Sequence, residues 1–305
     1  MNALVEISTV DSLSQAQQDQ ISNIVKEAFR VDFVNPLNEH AQLHLKHGGD
    51  KPITHILATV EEKIIGYGHL DQTDLLEGPA AEIVVIPTFR KQGVARLILK
   101  KIEEIAKPEP VRLWAHGNIA AAKNFAKNLN YHPIREIVQL KFSLLNVISD
   151  FKFPQEFQPT TYQNENDKET ILEINSQAFT ELPDQSSWTE HDLQLRINEH
   201  WFDPAGLLIL KNNNQPAAFC WTKIHTHHHD EHQPLGEIYV LAVLPKFQNQ
   251  GLGKQLTLWA LHQLRKKGLS EAMLYVDAKN TKAMKIYQEI GFVPSGSDTL
   301  YKSLT

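Results

Sequence analysis

The sequence predicts an α/β protein made of two domains with the same fold, each a mixed, twisted sheet flanked by helices. Three observations lead to this prediction. The chain has 305 residues, which is enough for two domains of ordinary size. A loop that lies between an apolar strand and a helix occurs once in each half of the chain. Short segments of alternating apolar residues, typical of half-buried strands, are interleaved with helical patterns.

The repeated loop is the strongest of these observations. Residues 82–99 read EIVVIPTFRKQGVARLIL, and residues 240–257 read VLAVLPKFQNQGLGKQLT. Each has an apolar run, a proline, an aromatic residue, a Gln-Gly pair and an amphipathic helix. Downstream, residues 113–133 are similar to 275–294, with a short strand, an Asn that could cap a helix, one helix and an aromatic residue before Pro. A period of about half the chain indicates duplicated domains.

The boundary between the domains is predicted from a change in composition. A Pro-rich, polar stretch near 148–160 follows the strand-like VQLKFSLL, and a helix over Lys168–Phe179 then restarts the pattern seen around Ile21–Phe29. We therefore expect one domain over residues 1–148 and a second over residues 149–305. The segments HILATV, IIGYGHL, GLLILK and AAFCWTK are expected to be strands.

Composition narrows the class of protein. The net charge of −6 argues against a nucleic-acid partner. No apolar run approaches the roughly 20 residues of a membrane span, and the first fifteen residues do not resemble a secretion signal. The single cysteine, Cys220, fits a reducing compartment and is expected to be a small buried residue. We expect a cytoplasmic, monomeric enzyme that acts on small molecules.

The loop itself predicts a phosphate site. The start of a helix presents unpaired backbone N–H groups and the positive end of the peptide dipole, and both favour an anion. The second copy, Gln248–Gly253, places two glycines where a ligand would approach, and Arg90–Ala95 repeats it. The preceding strand could offer backbone groups to an extended amide ligand. A diphosphate joined to an amide-rich arm describes coenzyme A, whereas the spacing matches neither a P-loop nor a GxGxxG fingerprint.

With these residues the sequence resembles the GNAT (acyl-CoA N-acyltransferase) superfamily, whose signature is Q/R-x-x-G-x-G/A after a split strand. Longer segments resemble the mycothiol synthase family, among them 114–131, 188–194, 201–207, 236–243 and 274–292. The resemblance implies two tandem GNAT domains and transfer of acetyl from acetyl-CoA to the cysteinyl amine of Cys-GlcN-Ins, the last step of mycothiol biosynthesis. It implies no metal.

The resemblance also implies which residues contact acetyl-CoA. In the second domain these are Leu241, Ala242, Val243, Gln248, Asn249, Gln250, Gly251, Leu252, Gly253, Lys254, Asn280, Thr281, Lys282, Ala283, Met284 and Lys285. In the first domain they are Ile83, Val84, Val85, Lys91, Gln92, Gly93, Val94, Ala95 and Arg96.

Two residues are candidates for the proton transfers that acetylation of an amine requires. Glu237 lies a few residues before the second loop and could accept the proton of the ammonium group. Tyr287 follows Asn280 by about two helical turns and could protonate the departing thiolate. Counted from the motifs, the first domain has Pro79 and Phe125 at these positions. Neither can transfer a proton, so we expect the first domain to be catalytically silent, although it could still bind acetyl-CoA.

For the acceptor, the resemblance points to Glu39, Asp184, Lys223, Glu237 and Tyr275. Asp184 stands where the family has a Glu, so its reach is one methylene shorter. Because Glu39 belongs to the first domain, an acceptor cleft between domains is expected. The histidine-rich tract at 225–232 is interpreted as a solvated hairpin loop because it lacks the ligand spacing of a zinc site on a helix.

Two alternatives stay open. The first is a tandem GNAT enzyme that acts on another amine, such as an aminoglycoside, a polyamine or a peptide N-terminus, because fold does not fix the substrate. The second is a protein that binds acetyl-CoA without catalysis, although the joint presence of Glu237 and Tyr287 argues against it.

Overall fold

The computed structural model describes residues 4–48, 52–74, 77–164, 166–180, 188–225 and 234–303. These residues divide into two compact units. The first unit contains the described residues up to Glu136 together with those from Ser297 onward, and the second contains Ile137–Gly296. The division into domains 1–148 and 149–305 stays a prediction.

The first unit is a mixed sheet with helices, as predicted. Its strands are β1 (Glu6–Val10), β2 (Ile53–Val60), β3 (Lys63–Asp71), β4 (Ala80–Val85), β5 (Arg112–Ala115) and the end of β12 (Val293–Ser303). Its helices are α1 (Gln15–Asp32), α2 (Glu39–His47), α3 (Val94–Ala106) and α4 (Ala120–Asn128). The strands lie in the order β1-β2-β3-β4-β5-β12. The pairing of β4 with β5 is parallel, and those of β1 with β2, β2 with β3, β3 with β4 and β5 with β12 are antiparallel.

The second unit repeats this plan. Its strands are the end of β6 (Tyr131–Ser143), β7 (Phe157–Thr161), β8 (Leu207–Asn212), β9 (Gln215–His225), β10 (Leu235–Val243) and β11 (Glu271–Asp277). Its helices are α5 (Asn166–Ala178), α6 (Glu190–Ile197), α7 (Leu252–Lys266) and α8 (Thr281–Ile290). The order is β7-β8-β9-β10-β11-β6, and β10 with β11 is again the parallel pair. The predicted helix at Lys168–Phe179 is therefore confirmed as α5.

Apolar side chains on both faces of each sheet build the cores. In the first unit, Ile98 and Ile102 of α3 are fully buried in one cluster with Ile21 and Ile24 of α1. The approach of α3 is close at Gly68, where an added Cβ would lie 2.6 Å from a carbon of Ile98. A side chain at Gly68 would therefore push this helix off the sheet.

The parallel pair opens early in both units. In the first unit its pairing ends at Ala81 with Leu113, and in the second it ends at Ile238 with Leu274. The rest of β4 and of β10 has no strand partner on that side among the residues that the structure describes. In the described part of the chain, each strand therefore has one open edge immediately before its repeated loop, while its other edge stays paired.

Two expectations from the sequence concern membrane-spanning helices and the environment of Cys220. No helix in the described part of the chain is both long and apolar enough to cross a membrane. Cys220 is fully buried in β9, and burial raises the pKa of its thiol. The prediction that Cys220 is a small core residue is confirmed.

Candidate active site

The two repeated loops have the same backbone conformation. Asn249 and Lys91 have φ of 60° and 61°, in the left-handed region. Gly251 (φ 80°, ψ −2°) and Gly93 (φ 86°, ψ −4°) directly precede α7 and α3. A left-handed residue with a side chain is uncommon, so the match at two positions shows that the sequence repeat is also a structural repeat.

Side chains hold the two loops in the same way. The Gln248 side chain donates to the carbonyl of Val243 at 3.1 Å, and the Arg90 side chain donates to the carbonyl of Val85 at the same distance. Arg90 adds a bidentate ion pair with Asp32 of α1, with N–O distances of 2.7 and 2.8 Å. These bonds fix the loop relative to the strand that precedes it.

The starts of α7 and α3 are suited to an anion. Neither Gly251 nor Gly93 provides a side-chain cap. The N–H groups of the first turn of a helix have no acceptor within the helix, and the helix dipole adds positive potential there. These backbone donors belong to Leu252, Gly253 and Lys254 in the second unit and to Val94, Ala95 and Arg96 in the first, and they are of the kind that binds phosphate.

The helix that follows differs between the two units. The side chain of Asn280 accepts from the N–H of Ala283 at 3.1 Å and caps α8, as predicted. The corresponding prediction for Asn118 is wrong. Its side chain accepts from the Tyr301 hydroxyl at 2.8 Å, and α4 starts after Ile119 without a side-chain cap. The remaining predicted cofactor residues, Thr281, Lys282, Met284 and Lys285, lie in the first turns of α8.

A bulge in β10 distinguishes the second unit. The register of β10 with β9 shifts between Ile238 and Val240, so Tyr239 is an extra residue, whereas the register of β4 with β3 is regular. A bulge bends a strand and redirects its side chains. Leu241, Ala242 and Val243 follow the bulge on the open stretch of β10, and Ile83, Val84 and Val85 occupy the open stretch of β4.

Glu237 is buried just before this bulge. Its residue exposure is 7%, and its Oε2 lies 2.6 Å from Nε2 of His225. It is opposite Lys223 in β9 and opposite Met273 in β11. A buried carboxylate needs a partner that supplies a hydrogen bond, and His225 is that partner. Sequence reasoning missed this contact because it treated His225 as part of a solvated loop.

Lys223 lies on the same face, against aromatic rings. Its Nζ is 4.5 Å from the ring centre of Trp201 and 5.1 Å from that of Tyr239. Trp201 and Tyr239 also pack on Trp221, with ring centres 5.6 and 5.4 Å from it. The ammonium group of Lys223 therefore lies over aromatic rings. Lys223 is also the residue opposite Glu237 in the neighbouring strand. A cation, a carboxylate and aromatic side chains thus share one face of the sheet.

Tyr275 lies two residues beyond Met273 in β11, so strand alternation puts it on the same face as Glu237. Its hydroxyl accepts a hydrogen bond of 2.8 Å from the side chain of Gln139, and 43% of the residue is exposed. The structure thus brings Glu237, Lys223 and Tyr275, three of the predicted acceptor residues, to one face of the sheet.

Tyr287 lies on α8 and packs into the core on the other side of the sheet. Its ring centre is 5.7 Å from that of Phe292, and its neighbours in this cluster include Ile238 and Cys220. Burial raises the pKa of Tyr287 well above its usual value, with a smaller effect from Cys220. The hydroxyl is therefore protonated at neutral pH and able to act as an acid. Glu237 and Tyr287 therefore lie on opposite faces of the sheet, on either side of the gap between β10 and β11.

Two predicted acceptor residues lie elsewhere. Glu39 is the first residue of α2 in the first unit, after the Asn38 cap. Asp184 falls outside the described residues, and so does the histidine-rich tract after His225. The roles of Glu39 and Asp184 in binding stay predictions.

The strand register corrects the counterpart assigned to Glu237. With the bulge taken into account, the parallel pairing aligns Glu237 with Ala80 instead of Pro79. Counted back from the last residue of each helix, Tyr287 corresponds to Phe125, as predicted. Neither Ala80 nor Phe125 has a group that transfers a proton.

The first unit has a buried charged cluster of its own. His116 at the end of β5 has Nε2 2.9 Å from Glu82 and Nδ1 3.1 Å from Asp298. Burial alone would lower the pKa of His116, but the adjacent carboxylates of Glu82 and Asp298 raise it to about 10. A carboxylate at each ring nitrogen requires the imidazolium form, so His116 is a buried cation.

Comparison with known proteins finds the same family that the repeated loops and the split strands indicate. The model of the acetyltransferase (GNAT) family matches residues 19–131 and 168–292. The chain belongs to this family, and it is an acetyl-CoA-dependent N-acetyltransferase with two GNAT regions. The predicted fold class is confirmed.

Relatives over the full chain give a narrower class. The chain is 36% identical to a mycothiol acetyltransferase of Acidothermus cellulolyticus, over 98% of this chain and 95% of that protein. It is 34% identical to a mycothiol acetyltransferase of Streptosporangium roseum, over 99% and 100% of the two chains. The resemblance to this family that the motifs indicated is thus confirmed.

Among solved structures, a tandem GNAT protein from the clavulanic acid biosynthesis pathway is similar in fold. Its TM-score is 0.74 at 12% identity, and the match covers 98% of each chain. A GCN5-related N-acetyltransferase from Sphaerobacter thermophilus has a TM-score of 0.69 at 17% identity over 97% of this chain. At these identities the likeness concerns the fold alone.

Proposed function

We propose that the chain transfers acetyl from acetyl-CoA to the cysteinyl amine of Cys-GlcN-Ins and so forms mycothiol. The observation that carries this proposal is the full-length similarity to mycothiol acetyltransferases. The arrangement of Glu237, Lys223 and Tyr275 on one face, next to the open edge of β10, supports it. A carboxylate, an ammonium group and a phenol suit an acceptor rich in hydroxyl groups that also carries an amine.

In this proposal Glu237 is the base. It takes a proton from the ammonium group of the acceptor, directly or through water, and the free amine attacks the thioester carbonyl. His225 is a positioning residue that holds the carboxylate through the 2.6 Å contact. Backbone N–H groups of the open stretch Leu241–Val243 polarise the carbonyl.

Tyr287 is the acid in this proposal. When the tetrahedral intermediate collapses, the C–S bond breaks and the thiolate takes the proton of the Tyr287 hydroxyl. Burial keeps the Tyr287 hydroxyl protonated until the C–S bond breaks. The second proton of the acetylated nitrogen leaves to water, and water restores the proton of Tyr287. The phosphates bind at the start of α7, and Asn280–Lys285 line the other side of the cofactor.

The first unit is proposed to be catalytically silent. Ala80 and Phe125 stand where Glu237 and Tyr287 would be needed. The loop at Arg90–Arg96 keeps the conformation of the second loop, which supports acetyl-CoA binding there as well. A cytoplasmic location and a monomeric state stay predictions from the sequence.

The test measures CoA thiol released from acetyl-CoA with Cys-GlcN-Ins, against a panel of polyamines, aminoglycosides and peptides. We expect release with Cys-GlcN-Ins and a loss of roughly 10²–10⁴-fold in kcat for Glu237→Gln. Tyr287→Phe should also lower kcat, with little change in acetyl-CoA affinity. If CoA is released only with another amine, the chain is still an acetyltransferase, but Cys-GlcN-Ins is not its acceptor. Binding of acetyl-CoA without release to any acceptor would favour a non-catalytic protein.

A further inference from the structure

One cluster of ligating side chains in the first unit contains none of the residues assigned above to acetyl transfer or acceptor binding. His40 and His44 are four residues apart on α2 and therefore lie on one face of the helix. Asp71 is the last residue of β3. One ligand atom from each of these three residues lies within 4.8 Å of the others.

The separations suit a zinc ion. Nε2 of His40 and Oδ2 of Asp71 are 3.1 Å apart. Donor atoms on a tetrahedral zinc ion, with bonds of about 2.0–2.1 Å, lie roughly 3.3 Å from each other. One pair is already near this separation, and the third atom lies within 4.8 Å of both. The set of two imidazoles and one carboxylate is common for zinc sites that keep a fourth position open.

Outer contacts orient two of the ligands. The N–H and the hydroxyl of Thr73 both donate to Oδ1 of Asp71, at 2.8 and 2.6 Å, which directs Oδ2 toward His40. Nδ1 of His44 lies 3.1 Å from Nε2 of His69, a buried residue of β3. Hydrogen bonds of this kind to the second nitrogen of a histidine and to the second oxygen of a carboxylate are usual around bound metals.

Solvent can reach the cluster. The side chain of His40 is 39% exposed, which gives an ion a path from solvent.

We propose that His40, His44 and Asp71 form a zinc site in the first unit, with a fourth position open to water or a small ligand. The ion would join α2 to the end of β3 and is separate from the acetyl-transfer chemistry of the second unit. A structural cluster that joins the same elements without metal is the alternative that the experiment excludes.

The histidine-rich tract must be removed from the experiment because it could bind zinc by itself. The background is therefore the full-length, tag-free chain with His227, His228, His229 and His232 each changed to Ser. This protein is stripped with a chelator, dialysed against buffered zinc and analysed for metal content. We expect one zinc per chain, visible absorption typical of a four-coordinate ion after cobalt substitution, and a higher Tm with zinc present.

Three further variants in this background decide the assignment. His40→Ala and Asp71→Asn should weaken zinc binding at least tenfold and remove the zinc-dependent shift in Tm. His47→Ala removes an exposed histidine of the same helix that is outside the cluster, and it should bind zinc like the background protein. Circular dichroism without metal checks that each variant is folded.

Two outcomes would overturn the proposal. One is a background protein that retains no zinc, which would assign all metal binding to the tract. The other is equal zinc affinity in the background protein and in folded His40→Ala and Asp71→Asn.

Discussion

At the scale of single residues, the pairing of Glu237 with His225 is the feature that most affects the proposed chemistry. The carboxylate is 7% exposed and its partner is a ring nitrogen 2.6 Å away. A buried carboxylate without this bond would be poorly solvated and free to rotate. His225 therefore belongs to the function even though it opens a tract that otherwise resembles a surface loop.

We predict that His225→Ala lowers kcat by a smaller factor than Glu237→Gln and alters the dependence of kcat on pH. The reason is that Glu237 remains but loses the group that holds it. The measurement is the pH profile of CoA release for both variants and for His191→Ala, an exposed histidine of α6 that serves as control. A profile for His225→Ala with the wild-type shape would contradict a positioning role.

His116 gives a second residue-scale prediction, which concerns stability. Its folded-state pKa of about 10 is above the usual value of 6.5. A raised folded-state pKa contributes stability that is fully present below pH 6.5 and is lost as the pH rises toward 10. The charged groups that face His116 are Glu82 from β4 and Asp298 from β12, and Trp114 stacks on its ring.

We therefore expect His116→Gln to lower the free energy of unfolding by about 3–5 kcal/mol at pH 6, because it leaves buried carboxylates without their cation. The difference from wild type should shrink between pH 7 and pH 10. Urea unfolding at several pH values measures it. A difference that stays constant over this range would show that His116 acts by packing alone.

At the scale of elements, the strands, the helices and the repeated loop could be predicted from sequence. Apolar alternation and the Q-G-x-small pattern are local signals, and they identify each element without knowledge of its neighbours. The bulge at Tyr239 carries no such signal, since the extra residue is visible only in the pairing of β10 with β9. Counting along the sequence therefore aligned Glu237 with Pro79, one residue away from Ala80.

The same limit applies to side-chain partners. Asn118 and Asn280 occupy similar places in the sequence, yet only Asn280 caps its helix. The hydroxyl that engages Asn118 belongs to Tyr301, 183 residues further along the chain. Contacts between different elements, such as those of Asp71 with His40 and of His225 with Glu237, depend on the folded sheet and have no local pattern.

The paired loops provide a matched prediction at this scale. Gly251 and Gly93 both have left-handed φ, and an added Cβ would meet no atom within 4 Å at either. Alanine at each should therefore cost about 1 kcal/mol of stability through backbone conformation alone. We expect Gly251→Ala to lower kcat/KM for acetyl-CoA more strongly than Gly93→Ala, because the second loop serves the proposed catalytic unit.

Equilibrium dialysis with acetyl-CoA separates binding from turnover in these variants. Two sites in the wild type and one in each variant would support cofactor binding by both loops. If Gly93→Ala lost as much kcat/KM as Gly251→Ala with the same number of sites retained, the assignment of catalysis to the second unit would be contradicted.

At the scale of the whole molecule, duplication has been followed by divergence of the two units. Both retain the loop conformation, the single parallel strand pair and the early opening of that pair. Among the described residues, the strand before the loop is bulged only in the second unit, and only the second unit has a glutamate and a tyrosine at the proposed catalytic positions. The first unit has instead the Glu82–His116–Asp298 cluster and the proposed zinc ligands. Its polar clusters are therefore different from those of the proposed acetyl-transfer site.

Strand β12 also affects stability at this scale. Its residues from Ser297 onward belong to the first unit although they follow the second unit in the sequence. Thr299–Lys302 of β12 pair with β5, Leu300 and Tyr301 are buried, and Asp298 bonds the backbone N–H of Gly117 at 2.7 Å. A chain that ends at Gly296 would leave β5 as an unpaired edge, remove two buried side chains and take one carboxylate from His116. Each effect lowers the stability of the first unit.

We predict that this truncation lowers the first unfolding midpoint and removes hydrogen-exchange protection from β5, while peptides of β10 and β11 keep theirs. A chain that ends at Ser303 is the control, because it retains every pair of β12 with β5. Equal protection of β5 in the two truncated proteins would mean that the final strand is dispensable. Loss of protection in β5 alone would show that the first unit requires a strand that follows the whole second unit in the sequence, so the first unit cannot complete its folding before the second unit has been made.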